Sequence, residues 1–166
     1  MQEQAVVTST LPPPPNPSPS PSPSPAAPLA FPELRDKAVI FEGQSEFMER
    51  TVTLFREMGL PENMLPLKDI VESGFVEETG FSWTVTRGGQ RHHFAKADRT
   101  CSYDTIITSN ITKGRMSNIK GVKAKELGLW VPIHEIYVDD SKPNNKKLVF
   151  KGVMGLYRSM SFHLFE

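Results

Sequence analysis

The residues best suited to chemistry in this 166-residue chain are His92-His93, His134-Glu135 and Asp139-Asp140, with one thiol at Cys101. As metal ligands the histidines are badly spaced, because neighbours on an extended strand point to opposite faces and one ion cannot take both. No Cys-x-x-Cys or His-Glu-x-x-His spacing supports a metal centre, and neither metal nor cofactor is expected. Hydrolytic chemistry has little more behind it. There is no Gly-x-Ser-x-Gly elbow and no phosphate-cradling glycine loop before a helix. Scattered Ser, His and Asp do not make a triad, which is defined by geometry.

Residues able to bind are more prominent. Phe75, Phe81, Trp83, Tyr103 and Trp130 are large aromatics on strand faces, suited to lining a cavity with their polar tips toward its mouth. The plainer reading is ordinary core, and alternation alone does not separate a filled lumen from a hollow one. Lys113, Arg115, Lys120, Lys123 and Lys125 form the densest basic run. Lys123 and Lys125 share a face opposite Val122 and Ala124, so both point to solvent. Such charges attract anionic headgroups or a polyanionic polymer, at about 1 kcal/mol each for a charged membrane. Their plainer role is a solvated edge that resists strand pairing. Cys101 falls on the same face as Tyr103 and Ile107, the setting of a buried, inert thiol. The sequon Asn110-Ile111-Thr112 sits in a strand and reads as chance.

These residues need elements to hold them. Eleven of the fifteen prolines precede residue 33, so residues 1–30 read as a Pro/Ser-rich leader with no core, extended as polyproline II. The leader suits a spacer, a ligand for an SH3- or WW-like groove, or proline-directed phosphorylation at Ser18, Ser20, Ser22 and Ser24. No basic start with an apolar h-region is seen, so an intracellular, cytoplasmic location is expected, with a plastid left open. Nineteen basic and nineteen acidic side chains leave no net charge, which argues against a nucleic-acid binder.

Residues 31–45 read as a linker or weak helix, with Glu33–Phe41 as its helical part. The domain proper spans 46–166. Its first element is an amphipathic helix capped by Ser45 and stopped by Gly59 and Pro61, with Met48, Val52 and Phe55 on one stripe beside Phe47, Leu54 and Met58. From Asp69 onward the period is two: Phe81-Trp83-Val85, Tyr103 to Ile111, Leu148-Phe150 and Met160-Phe162-Leu164 alternate with polar residues. Leu129 to Ile133 is apolar on both faces, and Pro132 with a parity shift before Ile136 predicts a bulge near His134. The fold expected is mainly β, a small antiparallel β-barrel of about seven strands with one N-terminal amphipathic helix.

Several blocks resemble the plant "domain of unknown function 538" family: Met58-Gly59-Leu60-Pro61 to Leu65-Pro66, Glu78-Thr79-Gly80-Phe81, Ile111 to Ser117, Ile119 to Lys125, Leu129-Trp130-Val131 and the ending Phe162 to Glu166. The resemblance covers about residues 47–166. It implies a plant protein, a compact β-barrel with an N-terminal helix and no established enzymatic mechanism. It also implies a distant likeness to lipid-binding domains of the bactericidal permeability-increasing type. This chain is expected to depart from many relatives, which look secreted, because its leader does not read as a signal peptide, and it carries Gly88-Gly89-Gln90-Arg91-His92-His93 where many have a cysteine.

The function expected is a non-enzymatic binding module for a small apolar or amphipathic, lipid-like ligand, with the basic edge meeting an anionic lipid surface. The alternative is a protein-interaction module with a solid barrel and a partner recruited by the leader. A weak hydrolase ranks third.

Overall fold

The computed structural model describes residues 30–166. They form β1 (Val39–Glu42), α1 (Gly43–Glu57), β2 (Ile70–Phe75), β3 (Phe81–Thr86), β4 (Gln90–Phe94), β5 (Arg99–Thr112), β6 (Arg115–Glu126), β7 (Leu129–Asp139), β8 (Lys147–Gly152) and β9 (Tyr157–Ser161). Short 3-10 segments span Pro32–Lys37, Val153–Gly155 and Phe162–Phe165. The leader and its serines at 18, 20, 22 and 24 lie outside the described residues.

The chain is mainly β, as its alternation predicts, and every strand pair is antiparallel. The nine strands run in the order β1-β2-β3-β5-β6-β7-β8-β9, with β4 paired to β5 off this path. β1 and β9 do not pair with each other, so the sheet is not closed into the barrel that the strand spacing suggests. Two stretches depart from the expected elements. Glu33–Phe41 is not one helix but a 3-10 turn opened by Pro32 and followed by β1, because the extended backbone of Ala38 ends the turn. Phe162 and Leu164 do not continue a strand, since Phe162–Phe165 tightens into 3-10 and buries Phe162 and Phe165 together.

The curl of the sheet originates in β5. Its Ile106–Asn110 half pairs with β3, and its Arg99–Tyr103 half pairs with β4 on the same side. The register against β6 shifts between Tyr103 and Asn110. Gly121 faces this bend with φ +89°, and a Cβ there would lie 2.5 Å from the Ile106 carbonyl oxygen. Only glycine fits both the left-handed backbone and that approach. The bulge expected at His134 is present as a register shift between Ile133 and Glu135.

The concave face wraps one core that includes Tyr103, Ile107, Met116, Ile119, Ile133 and Leu148. α1 is the α-helix among the described residues, and it buries Phe47 and Phe55 into that core. Its cap is Glu42 rather than Ser45, and the Glu46 carboxylate accepts the Glu42 backbone N–H at 3.1 Å. The expected stripe is rotated, because Met48 stays 44% exposed. Gln44 anchors the start of α1 to the chain entering β2. Its amide donates to the Leu67 carbonyl at 2.8 Å and accepts from Ile70 N–H at 3.3 Å.

Candidate functional site

Alternation puts Ser73 and Phe75 on the opposite side of β2 from Glu72 and Gly74. The register then matches Ser73 with Thr84 and Phe75 with Ser82 across β3. This is the side that α1 covers, incompletely, leaving a groove of about 460 Å³. Phe41, Leu54, Met58 and Phe75 give it apolar walls, and Ser73, Ser82 and Thr84 bring hydroxyls to its floor. Those hydroxyls are already engaged: Ser73 Oγ donates to the Trp83 carbonyl at 3.0 Å, and Ser82 pairs with Ser109 at 3.0 Å. At the rim, the Arg50 guanidinium lies 5.5 Å from the centre of the Phe41 ring.

The interior is different. A void of about 40 Å³ there is lined by apolar side chains such as Met64, Met116, Ile133 and Phe165. Room on that scale holds a few waters, far below the 300 Å³ or more of a typical ligand pocket. Glu126 closes one end, its carboxylate accepting from Arg99 and from Arg158 at 3.2 Å each. Burial pushes the Cys101 thiol up to about 11, so it stays protonated at neutral pH, and burial likewise holds the Tyr103 phenol far above its ordinary range.

The five aromatics expected to line one lumen are dispersed. Tyr103 lines the interior void, and Phe75 lines the α1 groove. Phe81 and Trp83 face the other way, onto the convex side of β3, where the Phe31 ring packs at 5.3 and 5.4 Å from theirs. Trp83 is nonetheless completely buried. Arg35 grips Glu72 with two bonds of 2.6 and 2.9 Å, and the Trp83 indole N–H donates to the same carboxylate at 3.0 Å. These bonds, Arg35 foremost, hold the Glu72 carboxyl below its ordinary range against the opposing effect of burial. Trp130 also sits on the convex face, under the cations of Arg91 at 5.0 Å and Lys125 at 5.8 Å.

The basic run is not an edge, because β6 is flanked by β5 and β7. Nor is it one patch. Arg115, near the β5–β6 turn that holds Lys113, pairs with Glu135 and stacks on Tyr137 at 4.7 Å. Lys123 and Lys125 lie toward the far end of the same strand, and Lys120 is exposed between the two groups. Of the residues considered as metal ligands, His93 contacts Thr100 and Asp98, while His134, Glu135, Asp139 and Asp140 lie on or beside β7. No group of three His, Cys, Asp or Glu side chains converges among the described residues.

Compared with known families, residues 51–166 match the one described as "Protein of unknown function, DUF538". The chain belongs to this family. No curated protein matches it, and no solved structure does. Two of the blocks that carry the DUF538 resemblance touch in space: the N–H of Gly114, in the β5–β6 turn, donates to the Met58 carbonyl at 2.6 Å. The DUF538 match excludes Phe31, Arg35, β1 and the first half of α1. Those segments cover Trp83 and wall one side of the groove, and their role was hidden in sequence beside the low-complexity leader. Among the described residues, no helix is long and apolar enough to cross a membrane.

Proposed function

We propose that this DUF538 chain is a non-enzymatic binding module whose small apolar or amphipathic ligand sits in the groove between α1 and the β1–β3 end of the sheet. The observation that carries this reading is a groove of about 460 Å³ walled by Phe41, Leu54, Met58 and Phe75, beside an interior with a void of only about 40 Å³. Only the former matches a drug-sized or lipid-like molecule without repacking. Its chemistry supports an amphipathic occupant. Aromatic and aliphatic walls favour an apolar body, and Arg50 at the rim favours an acidic head. The filled interior favours the solid-core half of the protein-interaction alternative, but it does not bear on the groove.

The test is titration of the full chain with a fluorescent fatty-acid analogue. Saturable binding at about micromolar Kd is expected. It should be abolished by Thr51→Trp, which projects an indole into the groove from the half-buried face of α1, and retained by Trp130→Phe on the convex face. Unsaturable binding, or binding indifferent to Thr51→Trp in a variant with native circular dichroism, overturns the reading.

A further inference from the structure

β6 and β7 are joined by the two-residue turn Leu127-Gly128, with φ +48° and +81°. Two successive positive φ values define the hairpin turn that asparagine and glycine favour and that a bulky side chain strains. Leucine nevertheless occupies the first position, and its side chain is 98% exposed, with Leu129 beside it 69% exposed. Leu127 buries almost none of its side chain, and Leu129 only a minor part. Behind this apolar tip lies the Trp130 ring, bracketed by Arg91 and Lys125. Lys123 projects from the same face two residues away. Glu126, the acid next to the tip, is neutralised internally by Arg99 and Arg158. The exposed acids on neighbouring strands are Asp98, on the β4–β5 turn beside His93, and Asp104 on β5, and neither is ion-paired with Arg91, Lys123 or Lys125. The arrangement is therefore layered: leucines outermost, then an indole, then uncompensated cations.

We propose that the β6–β7 hairpin tip docks the protein on bilayers containing anionic phospholipid. Leu127 and Leu129 enter the acyl boundary, Trp130 lies at headgroup depth, and Arg91, Lys123 and Lys125 meet the phosphates. The layering favours a bilayer over a soluble polyanion, which would use the cations and leave both leucines in water. It is a peripheral contact, independent of whatever fills the α1 groove on the other side of the sheet.

Leu127→Asn is a suitable probe because Asn-Gly is the preferred pair for this turn, so the variant keeps or strengthens the hairpin. The full chain is sedimented with vesicles of phosphatidylcholine alone and of phosphatidylcholine with about one-third phosphatidylserine. The expected result is binding to the anionic vesicles only. Leu127→Asn should weaken it about tenfold or more, the worth of one buried leucine, with no fall in Tm. Lys125→Gln should weaken it about fivefold. Met48→Asn, at an exposed apolar site on α1, should leave it unchanged. Trp83 is already fully buried, so a blue shift of tryptophan emission on binding reports Trp130 and should vanish in Trp130→Phe. Equal partition to both vesicle types, no partition, or wild-type binding by Leu127→Asn would each overturn the proposal. So would tip-dependent self-association without vesicle binding, which would make the tip a contact between copies of the chain.

Discussion

Glu72 shows how one side chain can decide the fate of a face of the sheet. Its carboxylate joins Arg35, from the N-terminal 3-10 turn, to the Trp83 indole, and thereby seals the convex side of β3. Alternation correctly placed Phe81, Trp83 and Val85 together, but parity does not say which side of a sheet is inward. That depends on what covers each side, and the cover here is Phe31 and Arg35, next to a proline-rich stretch that reads as coil. The bond network also has a pH signature. The folded carboxyl titrates below its ordinary 4.5, so its contribution to stability is complete above that value and disappears as pH falls through the folded one. Removing the guanidinium with Arg35→Met should therefore lower Tm most at about pH 7, with the gap to wild type narrowing toward about pH 3. Thermal unfolding followed across that range checks it; a gap of constant width would mean that the contact with Arg35 is not ionic.

The long strands β5 and β6 fix where the sheet turns. A one-sided partner switch from β3 to β4 along β5 requires a bend, and Gly121 is the residue that lets β6 follow it. Gly121→Ala should cost about 1–3 kcal/mol in chemical unfolding, the range for a non-glycine forced into such backbone with a carbonyl in its way. A loss within about 0.5 kcal/mol, the usual effect of a neutral surface change, would show that β6 relaxes there freely. The bulge at His134 was legible because Pro132 removes a donor and the apolar parity breaks within a few residues. The partner switch was not, since both halves of β5 alternate normally and pairing is a long-range property. For the same reason Lys113 and Lys125 looked like one patch, when an extended strand separates them.

At the scale of the molecule, the working unit is larger than the family match. Residues 51–166 lack β1, half of α1 and the Phe31–Arg35 cover. A chain starting at Ala30 keeps that cover. One starting at Val39 should lose several degrees of Tm or more, since it leaves Trp83 uncovered and Glu72 without its cation. Differential scanning calorimetry of the two truncations tests this, and equal midpoints would mean that the cover is decorative. The unjoined margins at β1 and β9 carry a further consequence. A closed barrel fixes its strand number through tilt and stagger, so inserting or deleting a strand remakes the whole. A sheet whose described strands leave such borders open can accept another strand, or another domain's strand, without redrawing its interior. Descendants of such a scaffold can lengthen or diversify at their outer strands while the buried residues stay as they are.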